Sequence, residues 1–150
     1  MRRQPTAASG VDAARARLRA SGLRSTGARL AVLRRLDDRR APVTHAQLVG
    51  ELAPLGFDRA TIYRNLIDLT KAGLVARTDL GDHVWRFELR RADGRRDGGD
   101  AHPHFSCTDC GTVACLPGVS VRISSRHGSP RAVRRRDVAV QLRGRCDRCA

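Results

Sequence analysis

The stretch RATIYRNLIDLTKAG, residues 59–73, decides how the first half of this 150-residue chain folds. Ile62, Leu66 and Leu69 recur at helical spacing, which predicts a helix with one face toward a core. Asp58 precedes the helix as an N-cap, and a glycine follows it as a stop. Polar and basic side chains near a helix start can reach base edges in the DNA major groove. The residues expected on that outward face are Thr61, Arg64, Asn65, Asp68 and Lys71.

Three shorter helices are expected before this one. Val11–Ala20 has the composition of a short helix, and Ser25 or Thr26 can cap a second helix with a leucine stripe. A proline interrupts that pattern, and Thr44 can cap a third helix with its own leucines.

A β-hairpin is expected after the fourth helix. LVART at 74–78 and HVWRFEL at 83–89 flank the turn DLGD, which predicts two antiparallel strands. Trp85, Phe87 and Leu89 alternate onto one face. Three helices, a polar-faced fourth helix and a two-stranded wing predict a winged helix-turn-helix, whose last helix enters the major groove.

Two CxxC pairs lie in the second half of the chain. Cys107 pairs with Cys110 and Cys146 with Cys149, and 35 residues separate the pairs. Four thiolates are the ligand set of a closed structural zinc site. This separation exceeds that of a simple zinc ribbon, so we expect the metal to join the two ends of a small subdomain. Thiols stay reduced in the cytoplasm, which favours metal binding over disulfides.

Further potential ligands lie close to the first pair. His102 and His104 point the same way on an extended strand, so they supply half of a second metal site. If GTVACL is a strand, it runs back beside these histidines and brings Cys115 to them. Glu88 and His83 are the nearest other donors. Zinc accepts such a mixed N, S, O set, whereas sulfur disfavours manganese and an oxygen-rich iron site. The alternative is that Cys115 is a small buried apolar residue.

The chain is strongly basic, with 29 Lys and Arg against 15 Asp and Glu, a net charge of +14. This balance favours a polyanionic partner such as nucleic acid. Lys71 is the single lysine, so genome base composition is an alternative source of the arginine bias. The chain has no apolar run long enough to span a membrane and no apolar region of a signal peptide. We therefore expect a cytoplasmic protein without a membrane partner.

The chain is expected to divide at RRADGRRDGGDA, a stretch of Gly, Arg and Asp without large apolar residues. The expected parts are a winged-helix DNA-binding domain at 1–89, a flexible linker at 90–101 and a metal-binding dimerisation domain at 102–150.

In these motifs the chain resembles the ferric uptake regulator family of bacterial metal-dependent repressors. The resemblance implies a homodimer that binds double-stranded DNA through its first domain. The fold it implies is α+β: an N-terminal winged helix-turn-helix followed by a small α/β dimerisation domain with a four-cysteine zinc site. The stretches with this resemblance are RATIYRNLIDLTKAGLV at 59–75, RFE at 86–88, HPHFSCTDCG at 102–111 and CDRC at 146–149.

The resemblance also implies residue roles. Tyr63 and Arg64 match DNA contacts of the recognition helix, and Arg24 matches a basic residue that reaches the minor groove. The two CxxC pairs match the structural zinc ligands. Glu88, His102 and His104 match ligands of the regulatory site, which couples metal to DNA affinity. The expected DNA-binding residues are Arg24, Arg59, Thr61, Tyr63, Arg64 and Asn65.

The chain departs from the family pattern at several ligand positions. Ala101 and Pro103 replace a further His and Asp, so a third metal site is expected to be absent. Pro42 replaces a His before the third helix, and Cys115 replaces a carboxylate. His83 or His45 is the expected substitute. The expected regulatory ligands are His102, His104, Glu88, Cys115 and His83.

These features predict a metal-responsive repressor with structural Zn²⁺ and a second divalent metal, Zn²⁺ favoured over Fe²⁺ or Ni²⁺. An iron-based peroxide sensor on the same fold and a zinc-clipped nucleic-acid-binding protein without metal sensing are the alternatives. An enzyme with a small-molecule substrate is not expected. A zinc deaminase needs an HxE motif, and a thioredoxin-like protein needs a βαβ context, and the sequence has neither.

Overall fold

The chain forms two compact units, Met1–Arg90 and Arg91–Ala150. The amide of Arg90 donates to the carbonyl of Leu74 at 2.9 Å, so Arg90 belongs to the first unit. The rest of the predicted linker lies outside the described residues. In the described part of the chain, no helix has the length and apolar composition needed to cross a membrane. The computed structural model describes residues 7–39, 41–90, 103–116, 118–124, 127–135, 138 and 140–150.

The described part of the first unit contains four α-helices. Thr26, Thr44 and Asp58 cap three of them, and each side chain accepts a hydrogen bond from the backbone amide three residues further on. The caps fix where these helices begin, as the sequence predicted. In chain order the helices are α1 (Ala7–Ala20), α2 (Gly27–Asp37), α3 (His45–Leu52) and α4 (Arg59–Lys71), with a short 3-10 turn at Ala53–Leu55.

One apolar core joins these helices. Leu18 of α1, Leu36 of α2, Leu52 of α3 and Leu66 of α4 are each at most 2% exposed. The core also includes Phe87 from the sheet. Burial of a side chain of this size contributes about 1.5–3 kcal/mol, so the unit is held by apolar packing from all of its elements.

A three-stranded antiparallel sheet completes the first unit. Its strands are β1 (Val43–Thr44), β2 (Val75–Asp79) and β3 (Trp85–Leu89), in the order β1-β3-β2. The predicted hairpin is present, but the two-stranded prediction was incomplete because β1 pairs with β3. Two residues are too few to show the alternation by which a strand is recognised. The helices and the hairpin together form the predicted winged helix-turn-helix.

The face of the hairpin that packs on the core is buried over only part of its length. Phe87 and Leu89 are 1% and 6% exposed, whereas Trp85 is 46% exposed. The guanidinium carbon of Arg77 lies 3.9 Å from the centroid of the Trp85 ring. The tip of the wing therefore has an exposed cation–π pair beyond the core.

The second unit is built on a small sheet. The strand order is β5-β4-β6, with β5 antiparallel and β6 parallel to the central strand. The antiparallel β5 returns the chain to the start of β4, where β6 begins, since His104 is opposite both Cys115 and Gln141. This arrangement agrees with the predicted α+β fold class. The elements are β4 (His104–Cys107), β5 (Val113–Cys115), α5 (Arg131–Arg134) and β6 (Gln141–Gly144).

Candidate DNA-binding surface and metal centres

The register of the second sheet brings the two CxxC pairs together. The parallel pairing of β4 with β6 sets Cys107 beside Gly144, two residues before Cys146. The amide of Cys107 donates to the Thr112 carbonyl at 2.9 Å, which closes the turn after β4. Gly111 supplies the positive φ of 70° that this turn requires. Both cysteine pairs therefore lie at the same end of the sheet.

The four cysteine sulfurs form one cluster. All four Sγ atoms lie within 4.8 Å of one another, and those of Cys110 and Cys146 are 3.7 Å apart. Tetrahedral zinc with Zn–S bonds of about 2.3 Å sets its sulfurs about 3.8 Å apart. Cys107 is buried, whereas Cys110 is exposed. The donor set and the spacing both fit a structural zinc ion.

The electrostatics of the cluster favour a cation. Backbone amides of Cys110 and Cys146 donate to the sulfur of Cys107 and lower the pKa of its thiol to about 6. Hydrogen bonds to Cys146 and Cys110 raise the pKa of the Cys149 thiol to about 12. Thiolates this close repel one another, so ionisation of the first makes ionisation of the last harder. A divalent ion removes that penalty and allows all four sulfurs to bind as thiolates.

A second pair of donors lies on the neighbouring strands of this sheet. His104 is directly opposite Cys115 in the β4–β5 ladder, and a ring nitrogen of His104 lies within 4.8 Å of the Cys115 sulfur. His104 is 8% exposed, and Cys115 is half-buried. The predicted return of GTVACL beside the histidine strand is therefore observed. His102, the other predicted imidazole, lies outside the described residues.

The remaining predicted regulatory ligands belong to the first unit. Glu88 is half-buried on β3. His83 lies in the wing turn with a φ of 59°, and its side chain is 97% exposed. Its ring nitrogen is 3.9 Å from a carboxylate oxygen of Asp79. Within the described residues His83 joins no group of three potential metal ligands.

The predicted substitute His45 has a different setting. Its Nε2 lies 3.0 Å from the carbonyl oxygen of Arg59, and its ring packs edge-on against Tyr63 with centroids 5.4 Å apart. His45 therefore holds the first turn of α4 and the Tyr63 ring. This contact had no signal in the sequence, because the two residues are on different helices.

The first two turns of α4 present a basic and aromatic surface. Arg59 and Arg64 are exposed, and Tyr63 is 47% exposed. Arg24, in the segment before α2, is also exposed. These four predicted DNA contacts are therefore accessible within the first unit.

Thr61 and Asn65 differ from those residues. The Thr61 hydroxyl donates to the Asp58 carboxylate at 2.5 Å, and hydrogen bonds from Thr61 lower the pKa of Asp58. The prediction that Asn65 faces outward was wrong, because this residue is 9% exposed. Its amide nitrogen donates to the Thr61 carbonyl at 2.8 Å. Asn65 follows Ile62 by three positions, which places it on the core-facing side of the helix.

Sequence reasoning also missed the role of Arg29. Its guanidinium donates to the carbonyl oxygen of Arg24 at 3.1 Å and to the Asp68 carboxylate at 2.7 Å. Asp68 was predicted to face solvent on α4, but its carboxylate is partly covered by this ion pair. Arg29 is one of many arginines in the chain, so its type and position gave no sign of this contact.

Known proteins resemble this chain in sequence and in fold. A model of the ferric uptake regulator family matches residues 20–121. A ferric uptake regulation protein of Bordetella parapertussis is 35% identical over 101 residues, which cover 64% of this chain and 66% of that protein. The match thus spans slightly less than two thirds of the relative's length.

Solved structures share the fold over most of the chain. The Vibrio cholerae ferric uptake regulator has a TM-score of 0.60 at 23% identity, covering 88% of this chain and 98% of its own. A zinc uptake regulator complexed with zinc and DNA has a TM-score of 0.58 at 19% identity, covering 97% and 96%. At these identities, the structural matches establish the fold.

Proposed function

This chain belongs to the ferric uptake regulator family, and we propose that it is a metal-responsive transcriptional repressor of the cytoplasm. It binds a palindromic DNA operator as a homodimer when its regulatory site holds a divalent metal. It catalyses no reaction and takes no small-molecule substrate. The observation that supports metal sensing most strongly is the His104–Cys115 pair, a second set of donors besides the four cysteines.

The exposed surface of α4 supports DNA binding. Arg59 and Arg64 offer donors for phosphates and for guanine edges, and the Tyr63 ring offers an apolar face with a hydroxyl. Arg24 supplies a basic side chain for the minor groove. A zinc uptake regulator of this fold has been solved with zinc and DNA. Thr61 acts mainly by donating hydrogen bonds to the capping carboxylate of Asp58, and buried Asn65 is left out of the DNA-reading surface.

Structural zinc is assigned to the four-cysteine cluster. Its sulfur spacing fits tetrahedral Zn–S geometry, and four thiolates leave no open coordination position. A closed site of this kind stabilises the fold and is not emptied by ordinary changes in metal supply. Sensing therefore requires the second set of donors.

Zinc is also the favoured regulatory metal, ahead of Fe²⁺ and Ni²⁺. The soft sulfur of Cys115 and the imidazole of His104 match the preferences of zinc better than those of manganese or of oxygen-rich iron sites. The same sulfur argues against an iron-based peroxide sensor. His102 and Glu88 are assigned as the other ligands from their place in the sequence and from the family resemblance.

The test is DNA binding at defined metal content. Protein with one zinc per chain and protein with two are titrated, by fluorescence anisotropy, against a pool of AT-rich palindromic duplexes selected in the presence of zinc. We expect the two-metal form to bind at least about tenfold tighter, a coupling within the usual range for allosteric proteins.

Matched variants connect that result to the site. His102→Ala/His104→Ala is expected to lower the metal content from two zinc ions per chain to one and to remove the metal dependence of DNA binding. His127→Ala removes an exposed histidine of the same unit and should change neither. Equal affinity of the one-metal and two-metal forms would instead favour a zinc-clipped nucleic-acid-binding protein without sensing.

A further inference from the structure

Arg29 joins two segments of the first unit that are distant in sequence. Its Nη1 donates to the carbonyl oxygen of Arg24 at 3.1 Å, and its Nη2 donates to Oδ2 of Asp68 at 2.7 Å. The first partner precedes α2, and the second lies in the C-terminal third of α4. One guanidinium therefore connects the Arg24 segment to the helix that displays Tyr63 and Arg64.

The local structure holds this side chain in place at its base. The backbone amide of Arg29 donates to the Thr26 hydroxyl at 3.3 Å, so the residue is fixed in the first turn of α2. Its side chain is 17% exposed. Solvent screens a partly covered ion pair less than a fully exposed one. The contact is thus anchored at the backbone and protected at the guanidinium.

Arginine is suited to this geometry. Its planar fork has donors that point in different directions and stays charged at all relevant pH values. It can therefore serve a neutral carbonyl and a carboxylate at once. A lysine has one compact ammonium group and cannot reproduce this two-armed contact.

We propose that Arg29 is a positioning residue for DNA recognition. It fixes the Arg24 segment relative to α4, so that Arg24 and the α4 side chains meet one duplex together. This inference rests on the proposed function, since it assumes that Arg24 and α4 both contact DNA. A segment held in its binding geometry loses less conformational entropy on association, and affinity rises for that reason.

The test is a double-mutant cycle with Arg24→Ala and Arg29→Gln, measured by anisotropy on the selected duplex. Arg24→Ala should weaken binding by about tenfold in the otherwise wild-type chain. In the Arg29→Gln background the same change should weaken binding by less than about twofold, because the Arg24 segment is no longer held. Arg34→Gln, which replaces an exposed arginine elsewhere on α2, should leave the full tenfold effect.

A second variant guards against loss of structure. Asp68→Asn keeps the size of the side chain and removes the charge that holds one arm of the fork. In the Asp68→Asn background, the effect of Arg24→Ala on DNA affinity should be reduced, but less than in the Arg29→Gln background. Hydrogen exchange in the free protein gives a readout that does not depend on DNA: amides at 23–26 should exchange faster in Arg29→Gln, while those in the middle of α4 stay unchanged.

The outcomes separate the two proposals. Equal effects of Arg24→Ala in both backgrounds, or unchanged exchange at 23–26, would overturn the positioning role. Absence of any specific DNA binding by the wild-type chain would overturn the proposed function. In that case, faster exchange confined to 23–26 would still support a clamp by Arg29, and unchanged exchange would refute it.

Discussion

Among the described residues and apart from proline, the first unit buries fifteen apolar side chains, drawn from every α-helix and from the sheet, whereas the second unit buries one, Cys107. That residue is itself a proposed zinc ligand. A unit with a full apolar core can fold on burial alone. A unit of sixty residues whose described part buries so little apolar surface is expected to need a metal, a disulfide or a partner. Under the proposed zinc assignment, metal therefore stabilises the second unit, whereas apolar packing stabilises the first.

The largest expected effect is loss of the four-cysteine site. Cys146→Ser should lower the zinc content by one ion per chain and leave the second unit unfolded, yielding monomer or aggregate. Structural zinc contributes about 10–16 kcal/mol of apparent binding free energy at neutral pH. Metal analysis and size-exclusion chromatography give the readout. Cys115→Ser is the matched control and should keep this zinc. Zinc-free dimers of normal size and thermal stability would refute the structural assignment.

A core substitution in the first unit should lower stability without affecting zinc binding. Leu66→Ala leaves a cavity in a core where Leu66 is fully buried, and it should lower the free energy of unfolding by about 2–5 kcal/mol. The zinc content should not change. Lys71→Ala, an exposed position on the same helix, should stay within about 0.5 kcal/mol of wild type. Urea unfolding followed by tryptophan fluorescence measures both. A loss of zinc in Leu66→Ala would contradict the view that the two units are stabilised independently.

Substitutions at two neighbouring residues of α4 should affect DNA binding and stability differently. Arg64→Ala should weaken specific DNA binding by about 1–3 kcal/mol and leave the unfolding free energy nearly unchanged. Asn65→Ala should do the reverse, since it removes a hydrogen bond to the Thr61 carbonyl worth about 0.5–1.5 kcal/mol. Parallel anisotropy and denaturation measurements test the pair. If both variants bind DNA as wild type does, α4 is not the reading helix.

The smallest expected effect is on the stability of the wing turn at low pH. Two hydrogen bonds from Arg86 lower the pKa of Asp82, at the wing turn, to about 2. Its folded pKa is below the ordinary value of 3.8, so its stabilising contribution is present above about pH 4 and is lost as the pH falls toward 2. Thiolate ligands take up protons and release zinc at a higher pH than the one at which Asp82 is protonated. In an acid titration followed by NMR, the signals of the folded wild-type wing should persist to a lower pH than those of the second unit. Asp82→Asn should weaken only the final, most acidic transition.

Sequence predicted most of the local structure and part of the site. Thr26, Thr44 and Asp58 were recognisable as caps because a cap needs only a short polar side chain before an apolar stripe. The paired cysteines were recognisable because their spacing reflects ligand geometry. Asn65 was predicted to be exposed because its side chain is polar. Its position is on the same side of the helix as Ile62 and Leu66, and it is therefore buried.

Other contacts between distant segments had no signal in the sequence. Arg29 reaches Arg24 and Asp68 only after α2 and α4 pack together, and no local pattern encodes that meeting. The β1 strand is formed by pairing with β3 and has no alternation of its own. The pairing of His104 with Cys115 was anticipated only on the condition that the second segment was a strand.

Hydrogen exchange before and after chelation of zinc tests the contrast between the units most directly. Peptides covering 103–116 and 140–150 should lose protection when zinc is removed at neutral pH and regain it when zinc is restored. Peptides covering α4 should keep their protection throughout, because Ile62, Leu66 and Leu69 are held by apolar packing. Retained protection in the second unit after complete removal of zinc, or equal loss in α4, would contradict this account.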